Sequence, residues 1–463
     1  MSTLTRRQLL AATAGAATTS RPNILMVTTD QQSIGTLSAS GNQYVKTPHF
    51  DRLAAEGTRF ENSWCTSPVC SPSRSSLITG CMPHKTHVVF NGDRLNPEVP
   101  TMGEIFRAAG YEAAWVGKWH LPAPSPAARV AGADLVGITR DRGFEFLQFP
   151  IAERNMLAFG DFTDRPVAEA AAAFLRSKRS RPFLLGVSLL NPHDICYWIE
   201  DKLPPGHPSA ILKDIPTDEL PPLPANFAIS SREPEFVARC RMRPYYGQEI
   251  LSTKNWSERQ WRRYLWTYYR MIERVDHSVG KLLAVLDETG LSDDTIVVAT
   301  SDHGEGMAAH RWVVKLMLYQ ETVSVPLVFR WKNKIPAGKV DRTRLASGMD
   351  VLPSLCNLAG VRAPSGMHGT PLFSGRPRDS VFAQLAPDTK DASFQGRAVR
   401  SRRFKYVSFS AGANPEMLFD LEADPGETRN LAFDASSRAE LNQHRRLLKQ
   451  WMQRTEDGYK PAW

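Results

Sequence analysis

Four runs of apolar residues constrain this chain more than anything else in it. Ile24 to Thr29, Tyr111 to Val116, Phe183 to Leu190 and Thr295 to Thr300 are short and show no polar alternation. A strand with one wet face alternates, whereas a strand covered on both faces does not. Helical patterns lie between the runs. Thr47-Pro48 opens a helix that reaches Gly57, and Thr101-Met102-Gly103-Glu104 is a capping box for a helix stopping at Gly110. Residues 165–176 are alanine-rich, and Ser257-Glu258-Arg259-Gln260 is a second capping box. From there Trp261, Leu265, Tyr268, Ile272, Val275, Val279, Leu282 and Leu286 recur at helical spacing up to Gly290, a stripe that reads as core. Strands alternating with helices predict an α/β fold with a mainly parallel central sheet flanked by helices, to which Val325 to Trp331 adds one more strand.

The texture changes after about residue 376. Arg397 to Arg400, Phe404 to Phe409 and Met417 to Leu421 read as antiparallel strands, Asp424-Pro425-Gly426-Glu427 as a turn, and Leu441, Leu448, Trp451 and Met452 as one face of a helix. The expected organisation is a catalytic domain over 21–376 and a small α+β subdomain over 377–463. Residues 201–256 are crowded with proline and carry Arg239, Arg241 and Arg243 beside Tyr245 and Tyr246. They read as an excursion across the surface, overhanging the sheet edge just after Pro192-His193. Arginines suit carboxylate or sulfate groups and aromatic faces suit sugar rings, so this cluster is a candidate substrate contact. Arg6-Arg7 before a short Ala/Gly/Thr run resembles a twin-arginine export signal over 1–20, which implies a periplasmic or secreted protein. The six cysteines form no CxxC pair and are too sparse for a disulfide scaffold. No run is long enough for a membrane span. A net charge of +9 suits an anionic partner without choosing among a sulfated glycan, a nucleic acid and a membrane surface.

In a parallel sheet the carboxyl ends of the strands share one edge, and ligands bind there. Each of the four runs ends on polar residues: Asp30-Gln31, Lys118 with His120, His193, and Asp302-His303. They are therefore expected to meet in one cleft. Two carboxylates with Gln31 and an imidazole fit Ca²⁺, Mg²⁺ or Mn²⁺, and without paired thiols or several histidines they do not suit structural zinc. Arg74, Lys118 and Lys315 are fixed positive charges for a tetrahedral oxyanion, and His120 and His193 can move protons. The stretch Ser67 to Gly80 reads as a helix start, with Ser71 as cap, Pro72 in the first turn and Gly80 as stop. That leaves Cys70 and Arg74 at the positive end of the helix dipole. These parts describe a site for sulfuryl or phosphoryl transfer.

Cys70-Ser71-Pro72-Ser73-Arg74 followed by Thr79-Gly80 resembles the sulfatase family of the alkaline phosphatase superfamily. The resemblance extends through Gly117-Lys118-Trp119-His120, Pro192-His193, Thr300 to Glu305, His310 with Lys315, Tyr319 to Leu327 and Leu418 to Leu431. Asp30-Gln31 stands where many members have Asp-Asp, and His303 where they have Asn. That looks more like the choline-sulfatase and phosphonate-monoester-hydrolase side of the superfamily. The resemblance implies an alkaline-phosphatase-like fold and conversion of Cys70 to formylglycine by a maturation enzyme. It implies one divalent metal, Ca²⁺ first and Mn²⁺ or Mg²⁺ otherwise, on Asp30, Gln31, Asp302, His303 and the modified Cys70. It gives catalytic roles to Cys70, Arg74, Lys118, His120, His193 and Lys315, and places Asn91 and His310 on the substrate side. The expected activity is hydrolysis of a sulfate ester, with a sulfated carbohydrate as substrate and no nucleic-acid partner. The alternatives are a phosphonate or phosphate ester hydrolase on the same scaffold, and a non-catalytic glycan-binding relative.

Overall fold

The computed structural model describes residues 21–121, 140–149, 159–210, 215–242, 248–388, 391 and 393–463. The expected export signal and Arg243, Tyr245 and Tyr246 lie outside them. The central sheet contains β1 (Asn23–Asp30), β2 (Thr58–Phe60), β3 (Glu112–Gly117), β4 (Arg140–Asp141), β5 (Phe144–Phe146), β6 (Phe183–Pro192), β7 (Thr295–Ser301), β8 (Leu327–Arg330) and β9 (Lys339–Asp341). Their spatial order is β9-β2-β8-β7-β1-β6-β3-β5-β4. The four strands named by the apolar runs, β7, β1, β6 and β3, are adjacent and mutually parallel. The strand read at Val325 to Trp331 is present as β8 but runs antiparallel to β7.

Both faces of the sheet are covered, which is why these strands do not alternate. In β1, Leu25 and Val27 face a core with α1 (Pro48–Glu56), α4 (Gly160–Arg176) and α5 (Glu258–Glu288). Ile24 and Met26 face a second core with α2 (Cys70–Thr79) and α3 (Met102–Ala108). Both capping boxes form, Thr101 with Glu104 and Ser257 with Gln260. The start of α2 differs from expectation: Val69, not Ser71, is its N-cap residue. Ser71 lies inside the first turn, where its hydroxyl donates to the His120 carbonyl instead of capping. No helix among the described residues is long and apolar enough to cross a membrane.

The C-terminal sheet is an antiparallel meander of β10 (Val381–Leu385), β11 (Gly396–Arg400), β12 (Phe404–Phe409) and β13 (Glu416–Asp420). One face takes α6 (Arg438–Thr455), with Leu441, Leu448 and Trp451 against Phe382, Val399, Tyr406 and Leu418. The other face corrects the expectation for residues 201–256. Phe236 of the short helix Glu235–Arg241 is fully buried and stacks between Phe394 and Phe409, at 3.8 and 4.3 Å between ring centroids. The prolines mark turns, but Phe236, Val237 and Ile250 join a core with Tyr264 and Met417. The described residues from Phe236 to Cys240, with Ile250, form a wedge between the C-terminal sheet and α5, not only a surface loop.

β3 stops at a close crossing. Gly117 has φ +86°, and a Cβ there would lie 2.0 Å from the Ser188 carbonyl oxygen. Lys118 follows at once, its amide donating to that same oxygen at 3.0 Å. Gly117→Ala meets both the left-handed penalty and a backbone clash, so urea unfolding is expected to show a loss of about 2–4 kcal/mol.

Candidate active site

Every residue of α2 is buried, and its first residue, Cys70, sits where β1, β7, β6 and β3 end. Cys70 Sγ lies 3.2 Å from His303 Nε2, 3.2 Å from Lys315 Nζ, 3.9 Å from Asp30 Oδ1 and 4.0 Å from Lys118 Nζ. His120 and His193 also lie close enough to act on it. Burial alone would push the thiol up. Lys118, Lys315 and His303 outweigh that and hold it well below its ordinary value. The structure thus brings Asp30, Cys70, Lys118, His120, His193, Asp302, His303 and Lys315 to one point.

Arg74 orients the two carboxylates. Its Nη2 donates to Asp30 Oδ2 and its Nε to Asp302 Oδ2, both at 2.9 Å. Lys118 adds a 2.6 Å contact to the same Asp30 oxygen. Burial and Cys70 work against ionised Asp30, but Lys118, His193 and Arg74 keep its carboxyl well below the usual range. With both Oδ2 atoms engaged, the Oδ1 atoms are left on the Cys70 side. Asp302 Oδ1 takes the Gln31 and His303 amides at 3.0 and 2.8 Å. His303 Nδ1 lies 2.9 Å from the Gly304 carbonyl oxygen, which only accepts, so Nδ1 carries a proton and Nε2 is the atom that would bind a metal, on losing its own. Donor atoms of Asp30, Cys70, Asp302 and His303 lie within 4.8 Å of one another, all buried. Two carboxylate oxygens and a tautomer-locked imidazole, aimed at one point, fit a divalent cation.

Gln31 stands beside this set, its Oε1 accepting from Lys315 at 3.0 Å. A residue to which the sequence reading assigned no role arranges that contact. Glu305 accepts from Gln31 Nε2 at 2.6 Å, and also from the Tyr264 hydroxyl and the Val314 amide. The carboxylate can take only the NH₂ end of the amide, so it turns the oxygen towards Lys315. Tyr268 donates to the Gln31 carbonyl at 2.5 Å, and Ser188 accepts from Arg74 at 2.7 Å. Glu305 follows directly on Asp302-His303-Gly304, a signal that was available. Tyr264 and Tyr268 carry none, because their rings belong to the core stripe of α5.

Three candidate substrate contacts are engaged elsewhere. Asn91 accepts from the Ser71 amide at 2.9 Å and so secures the first turn of α2. His310 stacks on Tyr319 with 4.1 Å between centroids and faces Glu321 and Glu427 beside the C-terminal sheet, where Lys405 lies 2.6 Å from Glu427. Its recorded partners are there and not at Cys70. Arg241 is bound to Glu233 at 2.7 Å, donates to the His310 carbonyl at 2.8 Å and covers Trp312. Arg239 is exposed over the Phe394 ring. The described arginines of the expected cluster therefore have separate local partners.

The sulfatase family model matches residues 22–361, and the model for the C-terminal part of N-sulphoglucosamine sulphohydrolase matches residues 308–456. The chain belongs to the sulfatase family. Among curated relatives, this sulfatase is 30% identical to a Delta 4,5-hexuronate-2-O-sulfatase of Bacteroides thetaiotaomicron, over 96% of this chain and 92% of that protein. Among solved structures it is similar to a 2-O GAG sulfatase with TM-score 0.82 and 29% identity, covering 96% and 95% of the two chains. It is also similar to the phosphonate monoester hydrolase of Agrobacterium radiobacter, with TM-score 0.75 and 25% identity over 94% and 96%. The fold is the alkaline-phosphatase-like fold of sulfatases, and the enzyme is a sulfuric ester hydrolase.

The environment of His310 has a consequence for stability. Burial, Arg241 and Lys405 push it down to about 4. It is neutral in the fold, whereas the unfolded chain takes the proton at about 6.5. Its contribution is complete above about pH 6.5 and is lost as pH falls towards 4. His310→Phe keeps the stack on Tyr319 and removes the titration. Between pH 7 and pH 5 the native sulfatase should lose about 2 kcal/mol more than this variant, read by denaturant unfolding at the two pH values.

Proposed function

We propose that this sulfatase hydrolyses the sulfate ester of a sulfated carbohydrate, with Cys70 converted to formylglycine and one divalent cation bound, calcium first and manganese or magnesium otherwise. The observation that carries the reading is the set around position 70: Arg74, Lys118, Lys315, His120 and His193 converge on it beside two buried carboxylates. When present, the cation supplies Lewis acidity and the hydrated aldehyde supplies the attacking oxygen, so Sγ marks where that oxygen would stand. Asp30, Asp302 and His303 would hold the cation, with Gln31 beside them. Arg74 keeps both carboxylates turned towards it. Lys118 and Lys315 neutralise charge on the sulfuryl oxygens. Lys315 is held in place by its 3.0 Å bond to Gln31 Oε1. His193 and Lys315 are the proton donors available to the leaving alcohol. His120, against the residue-70 side chain, takes the proton that releases sulfate.

The carbohydrate is supported by the relatives, named for hexuronate and GAG sulfation, and by the net charge of +9. Tyr197 also supports it, since its half-buried ring lies 5.8 Å from that of His193 and aromatic rings suit sugars. Arg6-Arg7 supports export as part of the same proposal. A second reading, phosphonate or phosphate ester hydrolysis, is favoured by Gln31 and His303 and by the likeness to the phosphonate monoester hydrolase.

Cys70→Ala is expected to abolish sulfate release while the melting temperature stays within a few degrees. Turnover by that variant would refute the nucleophile. Asp302→Ala should lose bound metal by elemental analysis and more than about a hundredfold of activity together. A panel of sulfated saccharides, choline sulfate, and matched aryl sulfate and aryl phosphate decides the substrate. Preference for choline sulfate or for the phosphate would overturn the carbohydrate reading.

A further inference from the structure

We propose that the chain as encoded, with Cys70 still a thiol, carries a tetrahedral zinc site at this same point. Conversion of Cys70 then decides which class of metal the centre selects. The four clustered donors are one sulfur, one imidazole nitrogen and two carboxylate oxygens. The expectation against zinc rested on the absence of paired thiols or several histidines, and the structure supplies one thiol and one imidazole together. Zinc bonds of about 2.0 Å to nitrogen and oxygen and about 2.3 Å to sulfur put tetrahedral neighbours roughly 3.3–3.6 Å apart. The recorded separations are 3.2 Å for Cys70 Sγ to His303 Nε2, 3.8 Å for His303 Nε2 to Asp302 Oδ1 and 3.9 Å for Cys70 Sγ to Asp30 Oδ1. All four donor atoms lie within 4.8 Å of one another, so closing the tetrahedron is a local contraction around the ion.

The surrounding contacts are those that zinc ligands require. His303 Nδ1 is tied to the Gly304 carbonyl, which leaves Nε2 to bind. Arg74 and Lys118 hold the outer oxygens of the carboxylates. Lys315 Nζ, 3.2 Å from Sγ, donates to sulfur and favours the thiolate, the form that binds metal. Soft sulfur with imidazole selects zinc over calcium or magnesium, whereas oxygen in place of sulfur leaves a hard set. Four protein donors also close the coordination sphere, so the zinc form has no open position and is inert. The change of selectivity on conversion rests on the formylglycine proposal, but the zinc site does not.

The test uses the full chain produced without a maturation enzyme, with the Cys70 peptide confirmed as thiol by mass. Titration with Co²⁺ should give one equivalent with an intense near-ultraviolet sulfur-to-cobalt charge-transfer band and tetrahedral visible bands. Zn²⁺ should displace the cobalt stoichiometrically, and Ca²⁺ in large excess should not. Cys70→Ser should lose the charge-transfer band and weaken Zn²⁺ at least tenfold in calorimetry, without weakening Ca²⁺. Cys65→Ser and Cys196→Ser should leave the band unchanged. Circular dichroism melts show that each variant is folded, and His303→Ala, which removes the nitrogen donor, should weaken Zn²⁺ at least tenfold if Cys70→Ser does not fold. A charge-transfer band that survives Cys70→Ser, or cobalt bound without one, overturns the proposal. No substrate enters these measurements, so an inactive converted enzyme would refute the proposed function and leave the zinc result standing.

Discussion

The centre of this molecule depends on one buried guanidinium. Arg74 is 3% exposed and bridges Asp30 and Asp302, which come from the ends of neighbouring parallel strands and are themselves fully buried. An unpaired charge at such a place costs roughly 3–5 kcal/mol, so each member of the triad holds the others in the fold. The bridge also has direction. By engaging the outer oxygen of each carboxylate it leaves the inner oxygens facing residue 70. Arg74 lies one helical turn after Cys70, so the contact that orients the carboxylates also sets the position of the thiol.

Around the triad the charges nearly cancel. Asp30, Asp302 and the Cys70 thiolate oppose Arg74, Lys118 and Lys315, and all six are at least nine-tenths buried. A balanced, water-poor cluster of this kind responds strongly to one added charge, because little solvent screens it. An anionic ester or a dication therefore changes the energetics of the whole set. Rigidity comes from outside the cluster. Glu305, itself bonded by Tyr264, holds Gln31, Ser188 holds Arg74, and Asn91 holds the first turn of α2.

The C-terminal sheet is joined to this machinery through the wedge of Phe236 to Cys240 with Ile250. Phe236 stacks on the sheet while its helix also carries Arg241 to the His310 carbonyl. His310, Tyr319 and the Lys405–Glu427 pair lie in the same region. The loop that carries Lys315 thus runs between the catalytic centre and the C-terminal sheet, so the position of the lysine depends on how that sheet is seated.

By itself the sequence determined the parallel core and most of the centre. Runs without alternation mean strands buried on both faces, and in a parallel sheet their ends share an edge. From that, Asp30, Lys118, His120, His193, Asp302 and His303 were legible, as were Cys70 and Arg74 from their place at a helix start. Only the tertiary structure decided which side-chain atoms meet. It showed that Ser71 bonds the His120 carbonyl instead of capping α2, since the helix begins two residues earlier. It also showed that Arg241 and His310 face local partners, because a charge pattern does not say which neighbours the fold will bring. Glu305, Tyr264 and Tyr268 were hidden for the same reason. A hydroxyl on a core stripe and a carboxylate in a loop acquire their roles only when α5 passes beneath the strand ends, and contacts between residues hundreds of positions apart leave no local periodicity to read.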